Sequence, residues 1–133
     1  MKLSLIAKSN YYKGLLVISK RDRVIDARER EFLIKIGEIL DFDRRFCEAT
    51  IDELLSNPHI SRSPIIFFSE AVTECFFRDA LRLASVDGCI HPLELRWLRQ
   101  TAHANGKSDQ WLDRIIQESP GDPGAPLEIQ KYI

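Results

Sequence analysis

The chain has 133 residues, of which 44% are hydrophobic and 29% charged, with a formal net charge of -1. That length suits one domain able to bury its own core, with no metal or disulfide needed to fold. The charge balance excludes a long-range pull toward nucleic acid or anionic lipid.

In chain order, "KLSLIAKSN" has an apolar run too short for a signal peptide's core. No run of about 18 apolar residues exists to span a membrane. Strand signals are nearly missing and helical periods recur. "REREFLIKIGEIL" places Phe32, Leu33, Ile36, Ile39 and Leu40 on one helical face. "FCEATIDELL" does so with Phe46, Ala49, Thr50, Leu54 and Leu55. "SNPHISRSP" carries two prolines and three serines and is a loop. "FFSEAVTECFFRDALRLAS" returns to the helical period with Phe68, Val72, Cys75, Phe76, Ala80, Leu83 and Ala84, and its aromatic load makes this helix central or an interface. "LELRWLRQTAHANG" follows with Leu95, Leu98, Thr101 and Ala102, and Gly106 stops it. "SDQWLDRIIQES" is a last short helix with Ser108 as N-cap. "SPGDPGAP" ends the helical region, and "LEIQKYI" has the apolar content to pack back on the body or meet a partner.

The pattern repeats. Asp22, Ile25 and Glu29 align with Asp87, Ile90 and Glu94 at an offset of 65. The same register sets Tyr11 and Tyr12 on Phe76 and Phe77, Leu16 on Leu81, Phe32 on Trp97, Leu33 on Leu98, Phe46 on Trp111 and Ile51 on Ile116. The expected fold is one all-α domain over 1–133, with six or seven helices. Two pseudo-repeated three-helix units, about 11–56 and 64–118, pack around one core, and a tail follows over 119–133.

The turn "VDGCIHPLE" resembles the second half of a calcium loop, with Asp87, Gly88, Ile90 and Glu94 at its fifth, sixth, eighth and twelfth positions. The first half fails, because Leu83 would have to be the first ligand and has no side-chain oxygen; in the other copy that place falls to Ile18. A second reading needs no metal. Asp87-Gly88 is a turn dipeptide, His91 or Asp26 caps the next helix, Pro92 takes its first position, and Glu94 or Glu29 reaches back in a capping box. In a third, pseudo-symmetric packing gathers Asp22, Asp26, Glu29, Asp87, His91 and Glu94 at one edge. Such a group calls for a divalent cation (calcium, manganese or zinc) or a basic partner. Arg21, Arg23 and Arg28 are at hand to neutralise the first copy.

Helix–(A/S)xDGxIxxxE–helix, twice in an all-helical chain of this size, resembles the TerB-like domains, named for bacterial tellurite-resistance proteins. "ASVDGCIHPLELRWLRQTAHANG" carries the resemblance most strongly; "ISKRDRVIDAREREFLIKIGEIL" carries it with Arg23 in place of the glycine. It spans roughly Tyr11 to Glu118. The resemblance implies a cytoplasmic, non-catalytic helical module of stress-response systems. It would dock on protein partners and bind metal through acidic positions, which here are Asp22, Glu29, Asp87 and Glu94.

Other chemistry is thin. The odd cysteine count (Cys47, Cys75, Cys89) without a Cys-x-x-Cys pair argues against a disulfide framework or zinc knuckle and for a reducing cytoplasm. Cys47 and Cys75 fall on helical faces as small core residues. Cys89 and His91 would serve a small enzyme or thiol sensor only if a polar pocket joined them. His59 sits in a loop and His103 on a helix surface. No phosphate loop, HExxH or GxSxG occurs. The expectation is a protein that is not an enzyme, acting through a protein partner or a homodimer, without nucleic acid and without membrane insertion.

Overall fold

The structure, a computed structural model, describes residues 3–19, 27–56, 63–84, 90–118 and 126–132. Among them are six α-helices and no strand: α1 (Leu5–Ser19), α2 (Ala27–Ile39), α3 (Arg44–Ser56), α4 (Glu70–Ala84), α5 (Pro92–Ala104) and α6 (Asp109–Glu118), followed by a 3₁₀ segment at Glu128–Tyr132. The all-helical class and the single core are as expected. No helix among the described residues is long and apolar enough to cross a membrane.

The repeat is kept in the helix frames. α1 and α4 begin at 5 and 70, α2 and α5 at 27 and 92, α3 and α6 at 44 and 109, a constant offset of 65. Local hydrogen bonding explains why. The Ser4 hydroxyl caps α1 by accepting from Ala7 N at 3.1 Å, and Ser69 caps α4 by accepting from Val72 N at 3.3 Å. Asp43 caps α3 (Phe46 N, 2.7 Å) and Ser108 caps α6 (Trp111 N, 3.1 Å). α2 and α5 end in the same left-handed turn, at Asp41 (φ 73°) and Gly106 (φ 76°). Phe42 N reaches back to Gly37 O and Lys107 N to Ala102 O, each at 2.9 Å, closing a Schellman motif in both copies. Gly106 stops α5 as its sequence position predicts.

The core forms where α1 crosses α4. The Tyr11 hydroxyl meets Asp79, and a Cβ added to Gly14 would meet the Phe76 ring. One partner is three residues later on α1 and the other three earlier on α4, so the two helices run in opposite senses. The repeat-equivalent rings of Tyr11 and Phe76 pack edge to face at 5.4 Å, which puts the pseudo-two-fold relation between these helices. Phe67 joins them at 4.6 Å from Phe76, and Phe76 leads on to Phe77 and Trp97. The central α4 also carries the 3₁₀ segment and α6.

The expected helical faces need correction by one step of the wheel. α2 buries Leu33, Ile34, Ile36 and Gly37, while Phe32 is 41% exposed and Ile39 is exposed. α3 buries Cys47, Ile51 and Leu54, and Phe46 is 43% exposed, stacked on Phe42 at 4.8 Å. Phe68 precedes α4 rather than lying on it. Phe32 thus stays at the surface while its counterpart in the second unit, Trp97, is covered at 4% exposed.

Candidate functional site

Of the six residues expected at the acidic edge, Asp22, Asp26 and Asp87 lie outside the described residues, as do Cys89 and His59. Glu29 lies on α2, and its side chain is outside them as well. Two are placed. His91 is the N-cap of α5 with φ -66° and ψ 140°, and its Nδ1 accepts from Leu93 N at 3.1 Å. Pro92 occupies the start of the helix, where its missing N–H costs nothing. A ring nitrogen that accepts a backbone N–H holds the lone pair of the neutral imidazole, so its other nitrogen carries the proton. The cap and a metal therefore compete for the same lone pair of His91. Glu94 turns inward at 7% exposed, on one stripe of α5 with Trp97, Leu98 and Thr101. Trp97 Nε1 and Thr101 Oγ1, on that stripe, are buried without a hydrogen-bond partner among the described residues. No three His, Cys, Asp or Glu side chains among the described residues come together to hold a metal.

Two features of the chain were missed from its sequence. The first is the segment before α4. Asn105, the C-cap of α5, uses its side-chain amide to hold this segment: Nδ2 donates to Ile65 O at 2.7 Å and Oδ1 accepts from Phe67 N at 2.9 Å. Held so, Phe67 enters the core while Ile66 turns outward, and Phe68 stands 90% exposed. Phe68 has φ 59°, a left-handed conformation that bulky side chains avoid. The run "IIFF" is apolar throughout and carries no alternation that would set one ring in and the other out.

The second feature is Asp79, 1% exposed on the buried face of α4. Its carboxylate accepts from the Tyr11 hydroxyl at 2.5 Å, from Glu128 N at 2.8 Å and from Ile129 N at 3.2 Å. Burial pushes its pKa up, and the hydrogen bonds from Tyr11, Glu128 and Ile129, together with the nearby Arg82, pull part of the way back. Its position carries only a partial signal: an acid three residues after Phe76 and four after Cys75 falls on the apolar stripe, but its partners lie 49 to 68 residues away.

Cys47 and Cys75 are buried, as expected, and burial pushes the Cys75 thiol up to about 11. His103 is exposed and pairs with Asp109 at 2.7 Å. In comparison with known proteins, no family model, curated protein or solved structure matches this chain.

Proposed function

We propose that the chain is a non-catalytic, TerB-like docking module that meets a protein partner through the segment before α4. The observation that carries this reading is Phe68. A phenylalanine held at positive φ and presented almost wholly to water costs about 1–3 kcal/mol in backbone strain, and apolar burial elsewhere would be the default. Asn105 holds the flanking backbone, so the ring is offered from an ordered base, as an anchor for an apolar pocket on the partner. The doubled helix–turn–helix frame with its acidic turns supports the family reading. A divalent cation at those turns would be held by the carboxylates of Asp22, Asp26, Glu29, Asp87 and Glu94, with the His91 Nδ1 lone pair engaged in its cap.

The test is cross-linking of the full chain in its own cells, wild type beside Phe68→Ser and the surface control Gln110→Ala. A partner cross-linked near Phe68 should persist in the control and fall at least about tenfold in Phe68→Ser, the loss expected of an anchor residue. The same partners at the same yield in all three would sink the reading. Calorimetric titration with calcium, manganese and zinc, beside Asp87→Ala, tests the cation: heat lost in the variant supports it, and no heat with any of the three removes it.

A further inference from the structure

The segment from Pro126 to Tyr132 is held on α4 by backbone hydrogen bonds and buried apolar side chains. Two consecutive backbone N–H groups, of Glu128 and Ile129, point at one buried carboxylate, that of Asp79. Arg82 donates to Pro126 O at 3.0 Å. Leu127 and Ile129 are the apolar anchors, and Ile129 is fully buried. Within the segment, Gln130 Oε1 accepts from Leu127 N at 2.7 Å, Gln130 N donates to Leu127 O at 3.1 Å, and Lys131 pairs with Glu128 at 2.7 Å. A 3₁₀ helix of five residues has little stability of its own, so its order comes from the seat.

The seat also has a contact that does not come from the segment. The Tyr11 hydroxyl holds Asp79 Oδ2 from α1, across the helix crossing itself. The repeat supplies an independent argument. At an offset of 65 the counterpart of Asp79 is Gly14, which lies at the symmetric point of the same crossing. The framework asks for no carboxylate there. Asp79 is an addition to the repeated frame, and it accepts the two backbone N–H groups of the segment as well as the Tyr11 hydroxyl.

We infer that the Asp79 seat on α1 and α4 is a displaceable peptide site, filled in cis by Pro126–Tyr132 and open in trans to the same segment of a second copy of the chain. A second copy carries both the seat and its ligand, so reciprocal exchange closes a symmetric pair with the contacts already seen. The titratable and charged groups near the exchanged segment are Tyr11 of α1 and Cys75, Arg78, Asp79 and Arg82 of α4, against Glu128 and Lys131 on the segment itself. The inference stands apart from the Phe68 anchor and survives its failure.

Complementation between two full-length variants tests it. Asp79→Ala keeps a sound segment but spoils its own seat; Ile129→Asp keeps the seat but cannot fill it. Each alone should sediment as a monomer, and an equimolar mixture should form a one-to-one complex. No complex in the mixture overturns the trans site. Native-state hydrogen exchange on the wild type provides a second reading that needs no variant and decides alone if either variant loses its helical circular dichroism. The Glu128 and Ile129 amides should exchange at least about tenfold faster than those of Phe76 and Phe77, through a local opening. Exchange of all four together would make the segment a fixed part of the core and overturn the inference.

Discussion

At the scale of single residues, Asp79 sets the strongest expectations. Removing its carboxylate with Asp79→Ala leaves the Tyr11 hydroxyl and two backbone N–H groups without their acceptor. The cost should be about 2–4 kcal/mol, read as a lower denaturant midpoint. Its pH dependence has a definite sign. The folded-state pKa of Asp79 is raised, burial being the largest cause, so the folded protein holds this proton more tightly than the unfolded chain does. The stability tied to that proton is fully present below the unfolded value, about 3.9, and is lost as pH rises through the folded value. Unfolding midpoints of wild type minus those of Asp79→Asn should therefore decline from about pH 4 upward; a difference that grows with pH would contradict the burial argument. A second contrast lies in the matched turns. Asp41 and Gly106 share a left-handed conformation that only glycine adopts without strain. Asp41→Gly should stabilise by about 0.5–1 kcal/mol and Gly106→Ala should destabilise by about 1–2 kcal/mol in the same denaturation assay. A Cβ at Gly106 would touch nothing within 4 Å, so that cost is one of backbone conformation alone.

At the scale of elements, the crossing of α1 and α4 depends on Gly14. A Cβ there would sit 2.5 Å from Phe76 Cε1. Phe76 is fully buried, hemmed in by the rings of Tyr11, Phe67, Phe77 and Trp97, and cannot swing away. Gly14→Ala should therefore cost about 1–3 kcal/mol through overpacking. Combined with Phe76→Leu, which makes room, it should cost clearly less than the two single changes added together; strict additivity would show that the helices relax apart instead. The helix ends are less sensitive. Ser4, Asp43, Ser69 and Ser108 cap four different helices in the same way, and loss of any one hydroxyl or carboxylate costs about 1 kcal/mol.

For the whole molecule, stability and docking should pull in opposite directions at Phe68. Phe68→Gly removes the strain of a bulky residue at φ 59°, against the added chain entropy of glycine. The variant should unfold at a denaturant midpoint equal to or above that of wild type, by up to about 1 kcal/mol, while losing the cross-linked partner. A variant that loses stability with the partner would mean that Phe68 serves the fold. The offset of 65 extends the same logic to the two units: they share frames, caps and turns, yet differ at Gly14 and Asp79, and at the surface aromatics Phe32 and Phe46 against the more deeply set Trp97 and Trp111.

Local signals were enough for the helices, the caps at Ser108 and His91, the stop at Gly106 and the repeat. Each depends on periodicity or on a hydrogen bond within a few residues, and those interactions are written in neighbouring positions. The face of α2 and α3 was less legible, because a wheel wide enough to hold Phe32 or Ile34 does not say on which side the neighbour lies. The candidate sites were least legible. Asp79 became a seat only when α1 brought Tyr11 from 68 residues away and Glu128 arrived from 49 residues away. Phe68 became an exposed ring only when Asn105, near the far end of α5, took hold of Ile65 and Phe67. The sequence by itself determined the class of fold and its doubling, through local propensity and pattern; the tertiary structure decided which side chains face water and which carboxylate is buried, because burial and long-range hydrogen bonds exist only between elements already packed.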